Sequence, residues 1–144
     1  MNTNDLMIGD WINLNFDVDY KTGKSIYAPV QITGINKDGT VDVNFTYDKS
    51  ESMQDRWDLK LIEPIELSEE VLEKIGFKKR QPKFGDKEYE ASNFLLRSWS
   101  DGKMFKLHIY NWDSGQFVFP NTIKYVHELQ HLIKICGYNF KIEL

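Results

Sequence analysis

The sequence predicts an α+β fold that is mainly β, with an SH3-like small barrel or curled sheet followed by an antiparallel sheet with one amphipathic C-terminal helix. Short alternating apolar segments, bounded by Gly, Pro and Asp, recur along most of the 144 residues. One segment with helical periodicity lies near the C-terminus. Because a domain usually has ~150 residues, we expect two lobes, residues 1–67 and 68–144, packed as one unit.

The first lobe is expected to consist of short strands. The clearest hairpin joins residues 29–35 and 40–45 through a turn at 36–39, where Gly39 supplies the positive φ that such turns need. A last strand is expected over residues 59–62, since the proline that follows cannot donate to a ladder.

The second lobe is expected to open with a short helix that runs from Ser68 to Ile75. Ser68 is a suitable N-cap and Gly76 a suitable C-cap. Residues 78–87 concentrate charge, Pro and Gly, and we interpret them as an exposed loop between the lobes.

The rest of the second lobe alternates strands and turns before the C-terminal helix. That helix is expected over about residues 122–136, ended by Gly137, and residues 140–144 alternate as a closing strand. Pro120 is expected to end the strand before it. The predicted strands lie at residues 89–91, 93–99, 104–110 and 116–119, with turns at 100–103 and 113–115.

The charge balance argues against a nucleic-acid binder. The chain has 18 Lys and Arg against 22 Asp and Glu, a net charge of −4, and the first lobe is the more acidic one. The local basic cluster of the second lobe is interpreted first as a solvated linker. The alternative is a weak nucleic-acid-binding accessory that would use Lys78, Lys79, Arg80 and Lys83.

Cysteine usage and hydropathy indicate the compartment. The single cysteine, Cys136, excludes an intrachain disulfide and fits a reducing compartment, and on the predicted core side of the helix it is interpreted as a small hydrophobe rather than a nucleophile. No signal peptide and no run of ~18 apolar residues is present, so a membrane partner is not expected. We predict a cytoplasmic protein, or one packaged into a particle after synthesis.

One chemical motif stands in the predicted C-terminal helix. Residues 127–131 read H-E-x-x-H, a spacing that places His127 and His131 on one helical face, where they can share a zinc ion. Glu128 would then act as general base on the metal-bound water. His108, the remaining histidine, is the candidate third ligand.

The helical context favours a solvated face over a metal site. Rotation by about 100° per residue places both histidines on the polar side, beside Lys124 and Lys134. Zinc catalysis needs a partly dry cavity, which an exposed face does not provide. The predicted core face holds Tyr125, Val126, Leu129, Leu132, Ile133 and Cys136.

Aromatic side chains of the first lobe are the binding candidates. Lobes of this kind often bind peptides or nucleic acid through exposed aromatics, although at least half of such residues are expected to belong to the core or to a strand face. The candidates are Trp11, Tyr20, Tyr27, Tyr47 and Trp57.

Three segments, at residues 5–11, 64–77 and 123–131, support a resemblance. The whole chain resembles a family of small uncharacterised proteins common in Bacteroidetes genomes and their phages or mobile elements. In that family the corresponding segments read like LMIGDWV, PIPLTEEILEKNGF and KYVHQLQ. The resemblance implies a habitat but no activity. It also implies that Gln can replace Glu128, so that H-E-x-x-H is not an obligatory catalytic set.

The sequence therefore favours a non-enzymatic binding or interaction protein of phage or mobile-element origin, with a protein partner and without a cofactor. The alternative is a zinc-dependent hydrolase that uses His127, His131 and His108 as ligands and Glu128 as base.

Overall fold

The structure, a computed structural model, describes residues 5–45, 56–81, 86–98, 103–111 and 115–144. The chain divides into two compact units, Met1–Ile65 and Glu66–Leu144. The fold is α+β and mainly β, as predicted, with a curled, half-barrel sheet followed by a second antiparallel sheet and a C-terminal helix.

The first unit is built on an antiparallel sheet in the order β4-β3-β2-β1-β5. Alternate side chains of its strands, which include Ile12, Leu14, Val30 and Val41, form a buried core. The strands are β1 (Trp11–Val18), β2 (Ser25–Ile35), β3 (Thr40–Asn44), β4 (Arg56–Asp58) and β5 (Ile62–Pro64).

The structure confirms the predicted hairpin and corrects the last strand of the first unit. β2 and β3 pair through the expected turn, with Gly39 at φ +82°. A 3-10 helix occupies Leu59–Leu61, so that β5 begins only at Ile62. The reason is local, because the side chain of Asp58 accepts a hydrogen bond from the Lys60 amide and so caps the helical turn.

The second unit begins with α1 (Glu69–Lys74) and ends with α2 (Val126–Ile135). Ser68 caps α1 as predicted, accepting a hydrogen bond from the Val71 amide at 3.2 Å. The antiparallel sheet between the helices has the order β10-β9-β8-β7-β6. Its strands are β6 (Lys78–Arg80), β7 (Lys87–Ala91), β8 (Phe94–Ser98), β9 (Phe105–Asn111) and β10 (Gly115–Ile123).

The predicted loop at residues 78–87 is wrong at both ends, because Lys78–Arg80 form edge strand β6 and Lys87 begins β7. The physical reason is charge alternation across the pair: Lys78 lies opposite Glu90, and Arg80 lies opposite Glu88. Opposite charges on neighbouring strands stabilise the pairing, so a charged segment becomes a strand once its acidic partner is adjacent. Residues 82–85 lie outside the described residues.

The end of the second sheet also differs from the prediction. β10 continues through Pro120 to Ile123. Its pairing with β9 is interrupted between Val118 and Thr122, so the strand tolerates a proline, which has no amide hydrogen to donate, at this point. α2 therefore begins four residues later than predicted. The predicted turns at 100–103 and 113–115 lie almost wholly outside the described residues.

The predicted closing strand is wrong, since residues 138–144 form no strand. Instead, the ring of Phe140 packs edge-on against Phe77 and Phe94, at centroid distances of 5.7 and 5.5 Å. Tyr138 contacts Phe94 in the same way. The chain end thus covers one face of the second sheet rather than extending its edge.

Candidate functional site

The HELQH motif begins in the first turn of α2 and extends into the second, and Glu128 is the third helical residue. The backbone amides of Lys124 and Tyr125 donate to its Oε2 atom, at 2.7 and 3.0 Å. This is the reciprocal bond of a capping box, which pairs amides that the helix itself leaves unsatisfied. The carboxylate that the motif assigns to a general base therefore has a structural partner on the backbone.

The prediction that both histidines lie on an exposed face is wrong for His127, which is 6% exposed. Its ring stacks on Tyr125, with centroids 5.7 Å apart and an interplanar angle of 10°. His131 is partly exposed and meets His127 edge-on at 5.8 Å. Periodicity alone misses this burial because the residue before the helix folds its ring back over the first turn.

His108 lies on β9, on the face opposite to that of Leu107 and Ile109, because successive side chains of a strand alternate. Its Nδ1 atom lies 2.6 Å from the amide nitrogen of Gln116 on β10. Burial is the main reason that its pKa lies below the usual value for histidine, and the nearby charge of Arg97 adds to the effect. The contact joins the imidazole ring of β9 to the side-chain amide of β10.

The structure thus brings His127 and His131 together but places His108 in a different setting. Within the described ranges, no three His, Cys, Asp or Glu side chains are grouped so that they would hold a metal ion.

The aromatic candidates of the first unit differ in exposure. Tyr20 is 95% exposed, and Tyr27 is exposed with its hydroxyl donating to Glu63 at 3.0 Å. Trp57 packs on the core of the unit and meets Phe45 edge-on. Trp11 is half-buried, and Tyr47 lies outside the described residues.

The basic cluster lies on β6 among acidic residues. Lys79 is 2.6 Å from Glu69, and Arg80 is 3.2 Å from Glu90. Carboxylates that neutralise lysine and arginine compete with phosphates for them, which weakens the nucleic-acid alternative. Lys83 lies outside the described residues. Cys136 is partly buried, and this burial raises the pKa of its thiol, as expected for an unreactive cysteine.

A cleft of about 420 Å³ at one end of the second sheet was not predicted from the sequence. The chain segments that meet there are the ends of β6, β7 and β9, the turn after β7 and the start of β10. Because these segments are far apart in sequence, no local motif marks the site. The cleft is lined by Arg80, Glu90, Ser92, Asn93, Tyr110, Asn111, Gly115 and Gln116.

Hydrogen bonds hold several parts of this cleft in place. Arg80 and Glu90 pair across its wall, and the Tyr110 amide donates to the Asn93 carbonyl at 2.8 Å. The contact with His108 fixes the Gln116 side chain. Ser92 has a positive φ of 51°, a conformation uncommon outside glycine that forms the tight turn beside the cleft.

The edge strand β10 begins at this cleft and differs sharply from the opposite edge of the sheet. Residues 115–123 read GQFVFPNTI and include no charged side chain, whereas β6 reads KKR. Phe117 is 58% exposed and Val118 is 42% exposed. The strand itself was predicted at residues 116–119, and the sequence signal that would have marked it as an unprotected edge is its lack of charge over nine residues.

Comparisons with models of protein families, with curated proteins and with solved structures each gave no match. None of the helices in the described part of the chain has the length and apolar character needed to span a membrane.

Proposed function

We propose that the chain is a non-enzymatic interaction protein that binds an extended, uncharged segment of a partner protein along β10. The observation that supports this most directly is the exposed, uncharged strand at one edge of the second sheet. A strand that pairs on one side only offers unpaired amides and carbonyls to an added strand.

The contrast between the two edges supports the proposal. Proteins commonly protect a sheet edge with charged side chains, lysine above all, because charge opposes unwanted pairing. β6 has three basic residues and so follows this rule. β10 leaves Phe117 and Val118 exposed instead, which costs solubility and is expected where a partner covers the strand.

The pairing of β10 with β9 limits where a partner strand would add. Residues 115–118 are in continuous register with β9, whereas the register breaks between Val118 and Thr122 around Pro120. Pro120 has no amide to donate and the irregularity bends the strand, so both features block pairing beyond Val118. The regular pairing surface is therefore residues 115–118.

The side chains flanking this segment indicate an uncharged, apolar partner. Phe117 meets Phe119 edge-on at 5.1 Å, which forms an aromatic pair beside the strand. Phe117 and Val118 point to opposite faces of the sheet, so a partner strand would bury apolar side chains on both. A charged partner side chain would gain no counter-charge from residues 115–123.

The test uses a displayed library of random peptides as the probe for the purified chain. We expect enrichment of uncharged peptides rich in β-branched and aromatic residues, with amide resonances of residues 115–118 shifting on binding. Phe117→Lys places on β10 the charge that β6 already has, and it should weaken binding about 10-fold or more. Tyr20→Lys is the matched control, because it changes an exposed aromatic of the first unit.

Three results would contradict the proposal. The first is that no peptide is enriched. The second is that Phe117→Lys, with an unchanged thermal unfolding curve, binds the peptides as well as the parent chain does. The third is that the chain forms a dimer that Phe117→Lys dissociates, because the occupant of β10 would then be a second copy.

The resemblance to the Bacteroidetes family supports two further parts of the proposal. It suggests an origin in a phage or mobile element, and a protein that works in the cytoplasm or within a phage particle. Identification of the gene neighbourhood and of the chain in purified particles tests both.

A further inference from the structure

The cleft at the start of β10 combines neutral hydrogen-bonding groups with one exposed aromatic ring. The geometry points to a second binding site, in which this cleft takes a neutral polyhydroxylated ligand, such as a saccharide unit. Its volume of about 420 Å³ lies in the range of small-molecule sites. The cleft shares Gly115 and Gln116 with the pairing surface at residues 115–118, whereas Phe117 and Val118 belong to the pairing surface and do not line the cleft.

The charge balance of the lining favours a neutral ligand. Of the described residues that line the cleft, two are charged, Arg80 and Glu90, and they pair with each other at 3.2 Å. An anion would approach the Glu90 carboxylate, and a cation would approach the Arg80 guanidinium. A pair of neighbouring hydroxyls avoids both like-charge repulsions, since one hydroxyl can donate to the carboxylate while the other accepts from the guanidinium.

The side-chain amides complement hydroxyl groups in the same way. The side-chain amide of Asn93 has both donors and an acceptor, Gln116 keeps its amide oxygen beside the contact with His108, and Ser92 adds a hydroxyl. A sugar hydroxyl is likewise both a donor and an acceptor. A carboxylate ligand can only accept hydrogen bonds and an ammonium ligand can only donate them, so either would leave the acceptor or the donors of an amide unused.

Tyr110 supplies the apolar part of the site. It is 41% exposed, and its ring lies on the same face of the sheet as His108, because the two residues are two apart on β9. A sugar ring has C–H groups on its faces that pack against a flat aromatic surface. Tyr110 also has a polar tip, so it suits a ligand that combines both characters.

The polar groups are held in place before a ligand arrives. Gln116 is bonded to buried His108, and the segment around Asn93 is fixed by the bond from the Tyr110 amide. Side chains that are already ordered lose less conformational entropy on binding. This matters for a sugar, whose hydroxyls exchange bonds with water for bonds with protein at little net gain.

The test is an NMR titration of the full chain with defined probes. The neutral probes are glucose, galactose, mannose and N-acetylglucosamine, and the charged analogues are glucose 6-phosphate and glucosamine. We expect at least one neutral sugar to give saturable shifts at residues 92–93, 110–111 and 115–116, with a Kd near ~1 mM. The charged analogues should bind about 10-fold more weakly or not at all.

Variants locate the binding. Asn93→Ala removes one amide and Tyr110→Leu removes the aromatic ring, and each should weaken the sugar about 5-fold or more. Two variants are used so that a folding defect in one leaves the other informative. Asn139→Ala, an exposed amide outside the cleft, is the matched control. Phe117→Lys should leave sugar binding intact, which separates this site from the peptide-binding strand.

The inference is overturned if no neutral sugar gives saturable shifts at the cleft, or if a charged analogue binds more tightly than its neutral parent. It is also overturned if both cleft variants keep native spectra and bind the sugar with unchanged affinity.

Discussion

Glu128 shows how one residue satisfies two quite different patterns. As the third residue of α2 it accepts hydrogen bonds from the Lys124 and Tyr125 amides, and as the second letter of H-E-x-x-H it resembles a catalytic base. The capping function accepts Gln as readily as Glu, because either side chain presents an oxygen to the backbone. Gln at position 128 would therefore be compatible with the same helix start.

Substitution of Glu128 tests its capping function, because loss of the cap should lower the stability of the protein. Glu128→Ala should lower the free energy of unfolding by about 1 kcal/mol, because two amides lose their acceptor, whereas Glu128→Gln should recover most of that loss. Chemical denaturation of both variants measures the difference, with the exposed Lys134→Ala on the same helix as control. An unchanged unfolding midpoint for Glu128→Ala would contradict the capping role.

At the level of whole elements, the sequence was sufficient wherever the signal is local. The hairpin of β2 and β3 has its own turn, and α1 has its own N-cap, so both follow from a few neighbouring residues. β6 and residues 138–144 depend on remote partners instead. The basic segment β6 forms a strand because it pairs with the acidic residues of β7. Residues 138–144 alternate like a strand, but they pack on Phe94 instead of pairing with the sheet.

The candidate sites also combine features that are visible in the local sequence with features that depend on residues remote in the sequence. The HELQH motif is visible in the sequence, but the burial of His127 under Tyr125 is not. The cleft joins segments that lie up to 36 positions apart, between Arg80 and Gln116, and each segment alone resembles an ordinary turn or strand end. Only the order of strands in the sheet brings them together.

Packing of the chain end can be tested with Phe140. Its ring contacts Phe77 and Phe94, so Phe140→Ala should lower the free energy of unfolding by about 2 kcal/mol, less than for a fully buried ring because Phe140 is only half-buried. Asn139→Ala, one residue away and exposed, should change it by less than about 0.5 kcal/mol. Equal effects of the two variants in thermal or denaturant unfolding would show that residues 138–144 do not cover the sheet in solution.

The distribution of histidines over the whole molecule bears on the zinc hypothesis. Catalytic zinc sites use three protein ligands together with an open position for water. His127 and His131 are neighbours on α2, whereas His108 faces Gln116 on the second sheet, and Glu128 is bonded to the backbone. A zinc ion on α2 would therefore need a further ligand, and Glu128 would have to give up its hydrogen bonds to the backbone before it could act as a base.

We expect the purified chain, prepared without a histidine tag and without chelator, to contain well below one zinc per molecule by elemental analysis. The variant with His127→Ala and His131→Ala should have the same zinc content as the parent chain. Because His127 is buried, this variant should also be less stable, by about 1–3 kcal/mol, whether or not metal is present. A stoichiometric zinc that the double variant loses would contradict the proposal of a non-enzymatic protein, since the cap at Glu128 would then have to open for a metal-bound water. Loss of stability without any change in zinc content would instead indicate that the histidine pair contributes to the packing of α2.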